Sequence, residues 1–136
     1  MATAPNPEIK LALVVHPNLS VLSKFQETFK QAGMTTLLAR DLPTALIAIS
    51  QNDIEIAVIS WRVSEAGDGW ALGGALRRIF PSAFVVVLAN ETSVPTLKEA
   101  INQGFDQLYE ESRPPEEVAA QVVANFSKRP RARVVQ

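Results

Sequence analysis

The chain of 136 residues contains no cysteine and a single histidine, His16. Without thiols there is no disulfide, no iron–sulfur cluster and no cysteine-ligated zinc. One imidazole cannot make the histidine pair of a zinc hydrolase, nor serve a Ser-His-Asp set built around any other histidine. Long apolar runs are lacking too. The longest early one, Leu11–Val15, falls far short of the roughly 20 residues that span a bilayer. Met1–Pro7 has no basic stretch of the kind that opens a secretory signal. The expectation is a cytoplasmic protein with no membrane partner.

Net charge is also nearly missing, at −1, but its distribution is uneven. All fourteen acids lie at or before Glu117, while Lys128, Arg129, Arg131 and Arg133 fall among the last ten residues, which leaves the body at −5 and the tail at +4. An acidic body argues against a nucleic-acid surface on the folded part, and four cations diluted by Pro130 make a weak electrostatic patch. What the chain has in quantity is apolar sequence, 47% of its residues. At this length that suits one core and one domain.

Hydrophobic periodicity divides the chain into alternating elements. Met1–Glu8 reads as a flexible lead-in. Ile9–Val15 predicts a buried strand ending at His16-Pro17. Asn18 then caps a helix carrying Leu22, Phe25, Phe29 and Ala32 at helical spacing, with Gly33 just past its end. Met34–Ala39 is a second strand, and Asp41 opens a helix with Leu42, Ala45, Leu46 and Ile49 inward. Ile54–Ser60 is a third strand, apolar along most of its length and so covered on both faces. After the loop Trp61–Gly69 comes a helix with Leu72, Ala75, Leu76 and Ile79 inward, then the strand Phe84–Leu88. Ser93 and Pro95 start a helix through Leu97 and Ile101 that ends at Gly104. Gln107–Glu110 make a fifth strand, and Pro114-Pro115-Glu116-Glu117 open a last helix whose buried stripe is Val118, Val122 and Phe126. Residues 127–136 lack periodicity and read as a flexible terminus.

Strict alternation of five strands with five helices demands an α/β fold in which a parallel sheet is covered by helices on both faces. In a doubly wound sheet, sites lie outside the carboxyl ends of the strands. The residues there are His16 and Pro17, Ser60 and Trp61, Ala89 and Asn90, and Glu111 and Ser112.

Several strings along 9–126 resemble the receiver domain of bacterial response regulators, the phosphorelay module of two-component systems. Leu11–Val15 is similar to the first strand that leads into the family's acidic pair, and Ala57-Val58-Ile59-Ser60 to the strand that delivers its phosphoaccepting aspartate. Asp68-Gly69 stands where the family has an Asp-Gly pair. Gly104-Phe105-Asp106-Gln107-Leu108-Tyr109 resembles the family's Gly-Ala-Asp-x-Tyr-Leu approach to the fifth strand. The resemblance implies a flavodoxin-like, three-layer doubly wound (βα)5 fold with strand order 2-1-3-4-5.

The family transfers a phosphoryl group onto that aspartate. It uses Mg²⁺ held by the aspartate and the acidic pair, a Ser or Thr donor, and a lysine on the phosphoryl oxygens. Position by position, His16 and Pro17 replace the acidic pair, Trp61 the acceptor, Ala89 the Ser/Thr and Glu111 the lysine. An indole neither accepts phosphate nor binds a hard cation. Exchanging the lysine for Glu111 reverses an interaction of roughly 3 kcal/mol for unit charges about 5 Å apart at an effective dielectric near 20. Ser60 is one step off the aligned position and points to the opposite side of the strand from Trp61, while Glu65 and Asp68 lie in the loop without a partner acid. The resemblance therefore implies a pseudo-receiver that takes no Mg²⁺ and no cofactor, is not an enzyme, and signals by protein contact.

The face receivers commonly use to pair or dock outputs corresponds here to the fourth helix, fifth strand and fifth helix, with Leu97, Ile101, Leu108, Tyr109, Val118 and Val122. A protein partner, including a second copy of the chain, is the implied occupant. Two alternatives stand beside this reading: a phosphorylatable receiver with an unorthodox site, and a flavodoxin-like nucleotide or flavin binder. The second is disfavoured because His16-Pro17-Asn18-Leu19 has no glycine and Pro17 removes an amide donor.

Single residues carry competing readings. His16 is a pH sensor or metal ligand, or an imidazole bonded to a neighbouring loop. Trp61 anchors a partner, or fills the vacated acid pocket. Gly73-Gly74 inside a helix implies close packing or contact with another chain. Arg77-Arg78 favours the carboxyl end of its own helix. Leu108, not Tyr109, aligns with the family's switch aromatic, which is therefore absent.

Overall fold

Strands of four to six residues separated by amphipathic helices give the element order β1 (Leu11–Val15), α1 (Leu19–Gln31), β2 (Thr35–Ala39), α2 (Leu42–Gln51), β3 (Ile56–Ser60), α3 (Gly69–Ile79), β4 (Phe84–Ala89), α4 (Val94–Gln103), β5 (Gln107–Glu110) and α5 (Pro115–Lys128). The computed structural model describes residues 10–63 and 68–128. Ile9, Glu65 and the two terminal segments 1–8 and 129–136 lie outside the described residues. α5 continues through Ser127 and Lys128, two positions beyond the Phe126 boundary expected from its periodicity.

All strand pairs are parallel, in the order β2-β1-β3-β4-β5. Side chains alternate along each strand, and two cores result. Leu13, Val15, Ala57, Ile59, Val85 and Val87 pack toward α2 and α3. Ala12, Val14, Ile56, Val58, Val86 and Leu88 pack toward α1 and α5, against Phe25, Phe29 and Val118. This is the three-layer doubly wound arrangement expected from the alternation of elements.

Local chemistry sets the element ends. Asn18 Oδ1 accepts from the Ser20 and Val21 amides at the head of α1. Asp41 does the same for Thr44 on α2 and Ser93 for Thr96 on α4. Gly104, at φ 93°, closes α4 in the left-handed conformation that glycine adopts freely. Val118 and Val122 are fully buried in the α1–α5 core. They correct the expectation that they belong to an interaction face, because the inward stripe of α5 is spent on the sheet and α1.

Arg77 does more than favour its own helix end. Its Nε donates to the Gly104 carbonyl at 2.9 Å, and Nη1 donates to the Pro81 and Ala83 carbonyls at 2.7 and 2.8 Å. Nη2 pairs with the Asp106 carboxylate, which also accepts the Val85 amide at 2.8 Å. The guanidinium thus ties α3, β4 and the approach to β5 at the amino ends of the strands. Of the two readings for Gly73, close packing holds: a Cβ there would lie 2.0 Å from the Phe105 ring, which Trp70 meets edge-on at 5.6 Å.

Candidate functional site

The residues just past β1, β3 and β5 remain in the ladder of the sheet. His16 N–H donates to the Ala39 carbonyl at 3.0 Å, Trp61 N–H to Leu88 at 2.8 Å and Glu111 N–H to Ala89 at 2.7 Å. Their side chains are therefore aimed by the pleat. Counting by twos puts His16 on the side of Val14, Ser60 on the side of Val58, and Glu111 on the side of Tyr109, all toward α1 and α5. Trp61 falls on the other side and packs against the α2–α3 core.

One carboxylate joins these groups. Glu111 Oε2 lies 3.0 Å from Ser60 Oγ and 3.4 Å from His16 Nε2. Glu111 Oε1 accepts from the Trp61 indole N–H at 3.3 Å. The single proton of Ser60 serves Glu111 or the Arg62 carbonyl, which is 3.3 Å away. His16 Nδ1 accepts the backbone N–H of Asn18 at 3.0 Å, so the ring proton sits on Nε2 and faces the carboxylate. The imidazole is buried. That burial holds it below its ordinary value near 6.5, outweighing the attraction and hydrogen bond of Glu111.

Of the five expected pocket positions, His16, Trp61 and Glu111 are brought into contact. Pro17 is exposed and offers only its carbonyl, to Arg40 Nε at 3.4 Å. Ala89 is fully buried and contributes no polar side chain. For Ser60 the expectation is a side chain facing away from Trp61 and out of the pocket. It does face away, but toward His16 and Glu111, and the period-two count along β1, β3 and β5 was the signal that could have found it. Behind the cluster, Gly69 is required by close approach: a Cβ would lie 1.9 Å from the Ser60 carbonyl. Its N–H donates to Trp61 O at 3.1 Å. Asp68 Oδ1 accepts the Val63 amide at 3.2 Å and makes no side-chain cap on α3.

The expected docking residues divide by exposure. Leu97 and Ile101 are exposed on α4, with Val94 in line with them at helical spacing. Leu108 is half-buried against the α2–α3 core and Tyr109 against the α1–α5 core. The Tyr109 hydroxyl donates to Gln107 Oε1 at 2.8 Å and accepts from Asn125 Nδ2 at 3.1 Å, which ties it to α5.

The donor set does not fit a hard dication. Glu111 is the one carboxylate in the cluster and is already met by three side chains, while Pro17 and Ala89 bring no side-chain oxygen. Among the described residues no three His, Asp or Glu side chains gather into a metal-binding group. The first loop does not cradle phosphate either. The amides of Asn18, Ser20 and Val21 are already bonded to His16 Nδ1 and Asn18 Oδ1, whereas an anion site needs open donors.

No protein-family model matches the sequence, and no curated protein matches it. Solved structures do match. A Francisella receiver domain aligns with a TM-score of 0.75 at 23% identity, over 88% of this chain and 98% of its own. A response regulator from Burkholderia pseudomallei, determined with a phosphorylated aspartate, calcium and citrate, aligns with a TM-score of 0.74 at 21% identity, over 88% of this chain and 69% of its own. A CheY-like receiver domain from Methanospirillum hungatei gives 0.77 at 14% identity, over 89% and 96%. The fold is that of response-regulator receiver domains. In a receiver fold the Ser60–Glu111–His16–Trp61 cluster occupies the carboxyl ends of β1, β3 and β5, where the ligand site of a doubly wound sheet lies.

Proposed function

We propose that this chain is a signalling module with the receiver fold that works through protein contacts, in the cytoplasm, without aspartyl phosphorylation. The observation that carries the reading is the engagement of Glu111. An anion stands at the position the resemblance matches to the family's lysine, held by His16, Ser60 and Trp61 at 3.0 to 3.4 Å. A phosphoryl group entering this space meets a carboxylate in place of a cation and finds no nucleophilic acid at Trp61. The pocket has become a fixed polar brace between three strand ends. The contact surface is the exposed side of α4 with Leu97 and Ile101, flanked by the half-buried Leu108 and Tyr109 of β5. Apolar residues at i and i+4 on an exposed helix are suited to a partner's groove or helix.

The test is incubation of the full chain with Mg²⁺ and acetyl phosphate, read by intact mass, together with beryllofluoride titration read by tryptophan fluorescence. Trp61 contacts Glu111, so occupancy of the pocket would change its emission. The expected result is an unchanged mass and an unchanged spectrum. A stable single-phosphate adduct on the folded protein establishes the alternative, a phosphorylatable receiver with an unorthodox site.

A further inference from the structure

The two ring nitrogens of His16 are bound to different parts of the fold. Nδ1 accepts the Asn18 N–H at 3.0 Å, at the head of α1, and Nε2 lies 3.4 Å from Glu111 Oε2, past the end of β5. Asn18 in turn caps α1, its Oδ1 accepting the Ser20 and Val21 amides. The turn that Nδ1 holds lies in solvent: Pro17, Asn18, Leu19 and Ser20 are all exposed. A further bond to this turn, from Arg40 Nε past β2 to the Pro17 carbonyl, is long at 3.4 Å.

An imidazolium has two N–H donors and no acceptor. Whichever way the ring turns, a protonated His16 cannot keep the Asn18 amide, because donor then faces donor at 3.0 Å. The charges around the ring decide where it goes. Past β5, the Glu111 carboxylate attracts the cation. On the α1 side the helix start carries about half a positive charge, and its first turn holds no acid to offset it. Past β2, the cationic Arg40 reaches the carbonyl of the next residue, Pro17. Past β3, the guanidinium of Arg62 lies over the Trp61 ring at 5.0 Å. Ser60, uncharged, shares Glu111 Oε2 with the ring and has a second acceptor in the Arg62 carbonyl at 3.3 Å, so it can yield that oxygen. We propose that His16 is a proton-operated latch: neutral, it ties the head of α1 to the end of β5, and protonated, it releases Asn18 and closes on Glu111, loosening residues 17–20 and the first turn of α1. Burial delays the release by disfavouring the charged ring. The latch needs only the two bonds of the ring, so it stands whether or not the pocket takes a phosphoryl group. Its output is a proton-dependent surface at the carboxyl rim of the sheet, where the exposed Leu19 follows the cap.

The test is nitrogen-15 NMR of the labelled full chain, titrated from pH 7.5 down to the onset of acid unfolding. The ring nitrogens report the tautomer and charge of His16, and the amides of Asn18, Ser20 and Val21 report the latch. The neutral ring should carry its proton on Nε2. As the ring takes up a proton, the protection of those three amides against hydrogen exchange, corrected for the intrinsic effect of pH, should fall about tenfold with the same midpoint as the ring. Amides of α4 and of the central strands should keep theirs. Glu111→Gln removes the attracting charge and should move both midpoints together to lower pH. His16→Gln should leave the three amides without a pH response over the same range. A ring that titrates while the Asn18 amide keeps its protection overturns the proposal, as does a pH-dependent loss of protection that persists in His16→Gln. So does a ring that stays neutral until the whole chain unfolds. None of these outcomes turns on a phosphate adduct, so failure of the latch and failure of the function proposed above are read separately.

Discussion

His16 is bonded through both ring nitrogens, and the two bonds make opposite demands on its charge. Nδ1 must be bare to accept the Asn18 amide, whereas Nε2 faces a carboxylate that favours the imidazolium. The same carboxylate is also met by Ser60 Oγ and the Trp61 indole N–H. Burial prevails, and the folded ring takes up a proton at lower pH than the 6.5 of an unfolded histidine. Between those two values the unfolded chain binds more protons, so stability rises with pH there. The contribution is complete above about pH 6.5 and is lost as pH falls through the folded value. Urea unfolding at pH 7.5 and 5.5 should give a lower midpoint at the acid end, and His16→Gln should reduce that difference while leaving the background shared by the carboxylates. An identical pH dependence in the variant would contradict this account. The same site shows what strand-end reasoning can and cannot reach. His16, Trp61 and Glu111 were legible as a group because the alternation of elements specifies which residues follow each strand. Their bonds were not, because whether Glu111 repels a ligand or braces the strands depends on which side chains reach it in three dimensions.

Among the helices, α3 carries two adjacent glycines with opposite constraints. A Cβ on Gly73 would penetrate the Phe105 ring, which is buried and held edge-on by Trp70. A Cβ on Gly74 meets the end of the Gln103 side chain at 3.0 Å and the Gln103 carbonyl at an ordinary 3.6 Å, and that side chain is free to swing at the loss of its bond to Glu99. Gly73→Ala should therefore destabilise by roughly 1–3 kcal/mol through overpacking. Gly74→Ala should be neutral or stabilise by up to about 1 kcal/mol through helix propensity. Thermal unfolding of the two variants should move in opposite directions or leave only Gly73→Ala lowered. Helical spacing located α5 well because its apolar stripe does face the sheet, and Leu72 and Leu76 of α3 do the same, whereas Ile79 of α3 and Leu46 of α2, expected inward, are exposed near the ends of their helices. The same rule failed to classify α4, where Leu97 and Ile101 have core-like spacing yet lie in solvent and Ala100 is the buried residue. It also could not assign Arg77, whose partners Gly104 and Asp106 are 27 and 29 residues away.

At the scale of the molecule, the polar cluster is assembled from residues as far apart as His16 and Glu111, delivered by the ends of β1, β3 and β5. On the function proposed above, a single substitution does not supply phosphotransfer chemistry to such a site. Trp61→Asp places a second carboxylate beside Glu111, removes the indole donor at 3.3 Å, and leaves Pro17 and Ala89 without oxygen ligands for a cation. Two neighbouring acids raise one another's proton affinity, and without a dication or a lysine nothing offsets the charge of an incoming phosphoryl group. The variant also gives up the packing of the indole against the α2–α3 core, on the order of 2 kcal/mol for a partly buried side chain of this size. The expected outcome for Trp61→Asp is a less stable protein whose intact mass stays unchanged after incubation with Mg²⁺ and acetyl phosphate. Mg²⁺-dependent labelling of this single variant would mean that His16, Pro17, Ala89 and Glu111 do not surround the acceptor position, and that the phosphate site lies elsewhere on the strand ends.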